Sequence, residues 1–257
     1  MTGRQYGVLV TRPADQADGL CRRIEGLGWR PIRFPSVAIA PISGRGPRRG
    51  QDYDLLIFVS KNAVIHGLPM LRDPGPRIEI AAVGRATAGA LEQRGLSVHI
   101  LPDGRWDSEG LLAHAALQSV AGKRILILRG EGGRGLLGDE LRLRGAAVDY
   151  AEVYRRLVPE VDAVSLITDW AERVHIALAT SNEILDNLFT LLGDRGAPLL
   201  CGTPVVVVSE RGMAHAREKG CEQVIIAQGA DEGALVSAML QWADGVNLFL
   251  GQENSGP

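Results

Sequence analysis

An α/β fold with parallel sheets is predicted by two features of the 257-residue sequence. Short apolar runs alternate with amphipathic stretches along the whole chain, and a set of these units recurs in a second copy. Residues 82–101 (AVGRATAGALEQRGLSVHIL) match 207–226 (VVSERGMAHAREKGCEQVII), with Gly95 and Gly220 in equivalent places. Upstream, FVSKNAVIHGL (58–68) parallels LATSNEILDNL (178–188); downstream, SEGLLAHAAL (108–117) parallels DEGALVSAML (231–240). The N-terminal VLVTRP likewise parallels ILILRG after Arg124. Two similar parallel-sheet domains follow.

The elements are read in order from hydrophobic pattern and stop signals. Gly7–Thr11 is a strand, Ala14–Leu27 a helix capped by Gly28, and Arg30–Phe34 a strand, which makes one β-α-β unit. Pro35–Gly50, with Pro41, Pro47, Arg45, Arg48 and Arg49, reads as a linker and surface loop. Asp54–Ser60 is a strand, Asn62–Leu71 a helix, Ile78–Val83 a strand, Gly84–Arg94 a helix, Ser97–Leu101 a strand and Ser108–Val120 a helix. Ile125–Leu128 is a buried strand ending at Arg129 and a cluster of glycines; a helix follows from Leu136 to Gly145, then a strand over Ala147–Val153 that leads to Tyr154. Leu157–Val161 is a second link, then Ser165–Arg173 is a helix, Val174–Thr180 a strand and Asn182–Leu192 a helix. Pro204–Ser209 is a strand, Glu210–Lys219 a helix, Gln223–Ala227 a strand and Asp231–Ala243 a helix, with a loose tail from Gln252. The order of the repeats favours two tandem domains cut near Val120. The two Pro-containing links favour residues 1 to about 35 joining the C-terminal copy, with the rest inserted.

Composition narrows the function classes. Hydrophobic residues at 46%, charged residues at 23% and a net charge of −2 describe a globular protein without the concentrated positive surface that nucleic acid needs. No apolar run approaches the ~20 residues of a membrane span, and no targeting segment is evident, so a cytoplasmic protein without a membrane partner is expected. Cys21, Cys201 and Cys221 have no metal-ligand spacing, so neither a disulfide framework nor a metal site is predicted. No apolar stripe suggests a subunit interface, and a monomer is expected. Lysine occurs only at 61, 123 and 219; the other basic residues are arginine, whose planar fork suits carboxylates and phosphates.

In an open parallel sheet, ligands bind beyond the carboxyl ends of the strands, where loops meet helix N-termini. That rule selects Thr11-Arg12, Ser60-Lys61-Asn62, Gly84-Arg85-Ala86-Thr87, Arg129-Gly130-Glu131-Gly132, Thr180-Ser181-Asn182 and Ser209-Glu210-Arg211. Helix capping accounts for a Ser, Thr or Asn at such a place without any ligand. The arginines cannot cap those N–H groups, which sets Arg12, Arg85, Arg129 and Arg211 apart. Gly130 to Gly135 also fits G-x-G-x-x-G, with Glu152 near the place of a ribose-binding acid; a nicotinamide-dependent oxidoreductase is the rival that this pattern supports. No nucleophile elbow or metalloprotease pattern occurs, and His66, His99, His114, His175 and His215 are scattered. Backbone N–H groups, hydroxyls and arginines without nucleophile or metal suit a polyanionic substrate that reacts easily once positioned.

The ordered set FPSV, LLIFVSKNAV, AAVGRATAGAL, ILILRGEGGRGLLGDELRLRGAAVDYAEVYRR, LATSNEIL and VVVSERGMAHAREKG resembles the uroporphyrinogen-III synthase family of bacterial type, over roughly Val8–Trp242. The resemblance implies two flavodoxin-like domains joined by a two-stranded linker, with a cleft between them. The first would comprise 1–37 and 158–257 and the inserted one 38–157, with links at about 35–50 and 154–161. It implies an enzyme without cofactor that takes hydroxymethylbilane from the preceding deaminase. Cyclisation to uroporphyrinogen III would invert the last ring through a spiro intermediate and lose water. By the same resemblance Tyr154 is the candidate general acid, and Ser60, Thr87 and Ser181 fall near the cleft. Arg211 and Gly212 stand where some relatives carry threonines. The substrate-binding set expected is Arg12, Ser60, Lys61, Asn62, Gly84, Arg85, Thr87, Arg129, Gly130, Gly132, Ser181, Asn182, Ser209 and Arg211. A non-catalytic two-lobed anion-binding protein would share this layout.

Overall fold

The structure is a computed structural model and describes residues 5–42, 48–72 and 78–253. The chain divides into two compact units, Met1–Ala38 with Leu157–Pro257, and Ile39–Arg156. The first opens with β1 (Gly7–Val10), α1 (Asp18–Gly26) and β2 (Arg30–Arg33). The second contains β3 (Ala38–Pro41), β4 (Arg48–Arg49), β5 (Leu55–Phe58), α2 (Lys61–Gly67), β6 (Leu71–Arg72) and β7 (Glu79–Ala82). It continues with α3 (Arg85–Glu92), α4 (Ser108–Ala113), β8 (Arg124–Gly130), α5 (Leu136–Leu143) and β9 (Ala147–Leu157). The first unit resumes with α6 (Ala163–Thr168), α7 (Trp170–Arg173), β10 (Ile176–Leu178) and α8 (Asn182–Cys201). It ends with β11 (Val205–Val207), α9 (Glu210–Glu218), β12 (Val224–Ile226) and α10 (Glu232–Glu253).

The sequence repeat has a direct counterpart in the sheets. The first unit orders its strands β12-β11-β10-β1-β2, and the second β3-β9-β8-β5-β7. Equating β1-α1-β2 with β8-α5-β9, β10-α8 with β5-α2, and β11-α9 with β7-α3 gives four strands of each unit the same order. The pairs β1/β2, β1/β10, β10/β11 and β11/β12 are parallel, as are β5/β7, β5/β8 and β8/β9. The direction of winding therefore reverses between β1 and β10 in one unit and between β8 and β5 in the other. In a doubly wound sheet the crevice forms at that reversal.

Strand alternation builds a core on both faces of the second sheet. Leu56, Phe58, Leu126 and Leu128 pack with Val64, Ala88 and Leu91. Leu55, Ile57, Ile125 and Ile127 pack with Leu111, Leu137 and Leu141 on the other side. Burying one such side chain contributes about 1.5–3 kcal/mol relative to exposure, so continuous apolar strands are what a two-sided sheet requires. In the first unit Val8, Val10, Ile176, Leu178 and Val206 pack against Leu20, Ile24, Leu235 and Met239 of α1 and α10. Their alternates Leu9, Ala177 and Val205 are buried as well.

Several boundaries differ from the sequence reading. The expected strand Ser97–Leu101 is reduced to a single bridge from Ile100 to Ala81. There His99 Nδ1 accepts the Ile80 N–H, beside backbone bonds from His99 N–H to the Ile80 carbonyl and from Ala82 N–H to the Ile100 carbonyl. The helix expected over Ser108–Val120 breaks at His114, whose backbone is extended and whose Nδ1 accepts the Ala116 N–H to cap one 3-10 turn, Ala115–Leu117. The first helix begins at Asp18 after a 3-10 turn, Ala14–Gln16. The helix expected to reach Leu71 stops at Gly67, and Leu71–Arg72 pairs with Arg48–Arg49. Ser165–Arg173 is two short helices, separated at Asp169. The helix expected to stop at Leu192 resumes after Gly193 and runs to Cys201. Of the expected linker and loop, Pro35–Gly50, Ala38–Pro41 is a strand flanking β9. Arg45 and Pro47 lie outside the described residues, as do positions 254–257 of the tail. Among the described residues no helix is long and apolar enough to cross a membrane.

Candidate active site

A cleft lies at the winding reversal of the second unit. It has a volume of about 420 Å³ and is lined by Val59-Ser60 after β5, Arg129 to Arg134 after β8, and Tyr150, Tyr154 and Arg156 on β9. Tyr154 is 4% exposed, and its Oη lies 3.1 Å from Ser60 Oγ. Ser60 Oγ also accepts the Ala63 N–H at 3.0 Å and thereby caps α2.

A β-bulge aims the tyrosine. Arg129 pairs with Glu152, but Gly130 pairs with Tyr154, so the register slips by one residue at Val153. Regular alternation would send Val153 and Tyr154 to opposite faces. Across the bulge both join the same core cluster, and the phenol comes to the strand end. Gly130 makes this possible, because a Cβ there would stand 2.8 Å from Tyr154 Cζ and 3.0 Å from Oη. The Glu131 N–H donates to the Tyr154 carbonyl at 2.8 Å and closes the seat.

The glycine loop is held from inside by Arg129. Its Nη2 donates to Glu152 Oε1 at 3.0 Å, and its Nη1 to the carbonyls of Gly133 at 2.9 Å and Arg134 at 3.3 Å. The guanidinium lies 3.9 Å from the Tyr150 ring centre, while Nε is buried and has no partner among the described residues. Tyr150 Oη donates to the Gly135 carbonyl at 3.1 Å. Gly138 leaves it room, since a Cβ there would meet that Oη at 2.1 Å. Arg129 thus organises the loop from within.

Of the residues selected from the sequence, Ser60, Arg129, Gly130, Gly132 and Tyr154 share this cleft. Gly132 has φ 70°, which suits glycine. Lys61 is exposed and Asn62 half-buried in the first turn of α2. Gly84, Arg85 and Thr87 start α3 after the neighbouring strand and do not line the cleft. Arg85 lies 4.5 Å from the Trp106 ring centre, and Thr87 is buried. In the first unit Ser181, Asn182 and Ser209 meet in a shallow hollow of about 60 Å³. There Ser181 and Ser209 cap α8 and α9 through the N–H groups of Ile184 and Gly212. Arg211 is exposed on α9, and Arg12 donates to the Ala230 carbonyl. Burial lowers the Arg12 pKa, opposed by Glu232 and Asp231.

The winding reversal of the first unit is closed by protein groups. Thr11 Oγ1 donates to the Leu178 carbonyl, Ser36 Oγ to that of Ile184 at 3.1 Å, and Asn187 Nδ2 to that of Ser36 at 2.9 Å. Equivalent positions in the duplicated sheets are thus knitted shut in one unit and open in the other. Glu131, selected with its loop neighbours, lines the cleft too, and so do Ser108, Arg134, Tyr150 and Arg156, which were not selected from the sequence. Ser108 carried no signal, because its strand neighbours are distant in sequence.

A family model described as uroporphyrinogen-III synthase HemD matches residues 18–237. The chain belongs to the uroporphyrinogen-III synthase family. It is 35% identical over 244 residues to the uroporphyrinogen-III synthase of Escherichia coli strain K12, covering 90% of this chain and 99% of that protein. It is 36% identical over 247 residues to that of Salmonella typhimurium strain LT2, with the same coverage of 90% and 99%. Among solved structures, uroporphyrinogen-III synthetase from Helicobacter pylori 26695 superposes with a TM-score of 0.62 at 16% identity, over 93% of this chain and 100% of that one. A mutant uroporphyrinogen III synthase from the extremely thermophilic bacterium Thermus thermophilus does so with a TM-score of 0.55 at 18% identity, over 92% and 98%. Both structures share the two-domain α/β fold of the family.

Proposed function

We propose that this chain acts in tetrapyrrole biosynthesis as a hydro-lyase that closes hydroxymethylbilane to uroporphyrinogen III without a cofactor. Family membership supports the reaction. The observation that carries the site is a buried phenol, Tyr154, held at the winding-reversal cleft with its hydroxyl 3.1 Å from Ser60. Tyr154 Oη gives its proton to the departing hydroxyl; the carbon–oxygen bond breaks, water leaves, and the pyrrole nitrogen's electrons fill the vacated carbon. Ring closure then proceeds through the spiro intermediate, and the proton released when the closed ring regains aromaticity returns to Tyr154. The substrate supplies its own electron pair, so what the protein contributes is position and a proton. The loop N–H groups around Gly132 and the cap residues Ser181 and Ser209 are the donors assigned to carboxylates. The expected setting is a cytoplasmic monomer fed by the preceding deaminase.

Coupling hydroxymethylbilane formation to this protein and separating the products by chromatography tests the reading. Isomer III is expected, and isomer I alone would overturn it. Tyr154→Phe, which removes only the hydroxyl, is expected to lower kcat by ~10²-fold or more. Near-full kcat in that variant would remove Tyr154 from the acid role.

A further inference from the structure

A tyrosine that gives up its proton must hold a phenolate, and this one is 4% exposed. A phenolate only accepts hydrogen bonds, and burial disfavours it unless a donor faces it. Among the described residues the hydrogen-bond partner of Tyr154 Oη is Ser60 Oγ, at 3.1 Å. A serine hydroxyl has one hydrogen and two lone pairs. One lone pair takes the Ala63 N–H at 3.0 Å, which fixes Oγ in place and leaves its hydrogen for another acceptor. Glu131 and Gly130 hold the tyrosine itself at the other end of the contact.

We infer that Ser60 is a positioning residue for the reaction, its hydroxyl donating to Tyr154 Oη as the phenol loses its proton to the departing hydroxyl. This rests on the reading of Tyr154 as the acid. The step balances without any redox change. The breaking carbon–oxygen bond leaves its electron pair on oxygen, that oxygen takes the Tyr154 proton and departs as water, and the negative charge on Oη is met by the Ser60 hydrogen. The proton released on ring closure restores the phenol. Whichever hydroxyl donates in the resting pair, the capping bond lets Ser60 offer only its own hydrogen once Tyr154 is ionised. Ser60 therefore has two separable tasks, capping α2 and donating to Tyr154.

The coupled assay, run for Ser60→Ala, Ser60→Gly and Ser60→Thr in the wild-type and Tyr154→Phe backgrounds, separates the two. Glycine begins a helix nearly as well as serine and has no side-chain donor; threonine keeps both the cap and the hydroxyl. In the wild-type background Ser60→Ala and Ser60→Gly are expected to lower kcat by about ten- to a hundredfold with KM little changed, as befits a hydrogen bond to a charged group. Ser60→Thr should retain most of the rate. With Tyr154→Phe already present, none of the three should cost more. Full kcat in Ser60→Gly, or equal losses in both backgrounds, would overturn the inference while the acid role of Tyr154 stood. Near-full kcat in Tyr154→Phe alone would instead sink the reading beneath it.

Discussion

At position 130 the absence of one methyl group decides where the Tyr154 phenol can lie. The ring of Tyr154 occupies the space of the missing Cβ, and the nearest approach of 2.8 Å is to the ring rather than to a flexible tip. Gly130→Ala is therefore expected to displace Tyr154 and to cut kcat about as much as Tyr154→Phe. Its stability cost should be about 1–3 kcal/mol, typical of overpacking. Kinetics and thermal melts of the two variants side by side check this: a Gly130→Ala enzyme with wild-type kcat would show that the ring can yield. The sequence displayed the glycines and the tyrosine, yet it suggested an anion cradle. The steric relation crosses a bulge between strands separated by more than a helix, and no local spacing reports it.

Helices α8 and α9 are joined on their outer sides by Asp186, whose carboxylate receives Lys219 Nζ at 2.8 Å and His215 Nε2 at 2.9 Å. The Lys219 hydrogen bond foremost, and that of His215 next among the favourable partners, hold the Asp186 pKa below its ordinary value, against the opposing effect of burial. A depressed carboxylate stabilises the fold above its unfolded-state pKa, and that contribution is lost as pH falls through the lower folded-state value. Asp186→Asn should lower the melting temperature at neutral pH and narrow its gap from wild type in acid. The side chain is 42% exposed, so the loss should stay below about 1 kcal/mol. An unchanged gap from neutral to acid pH would refute the coupling. The same helix shows how element ends escape the sequence. Gly193 reads as a stop and does break the helix, with φ 57°. The chain then resumes a helical path to Cys201, with Pro198 inside the resumed segment.

At the scale of the molecule, the second unit has a core on both faces of its sheet, built from its own residues. A fragment spanning 38–157, the proposed inserted domain, is expected to melt cooperatively by circular dichroism, and a gradual, transition-free melt would argue against an independent domain. The α/β class, the duplication and the family all follow from the sequence, because alternation, glycine stops and repeated motifs are local and survive in one dimension. Ser60 and the glycine loop were legible as strand ends for the same reason. Tertiary structure alone decided that the reversal between β5 and β8 stays open while the equivalent one is closed by Thr11, Ser36 and Asn187. It also decided that Arg129 is engaged within its loop, and that Tyr154 rests on Gly130 beside Ser60. These depend on strand order, register and one bulge, which are set by pairing between distant segments and leave no periodic mark along the chain.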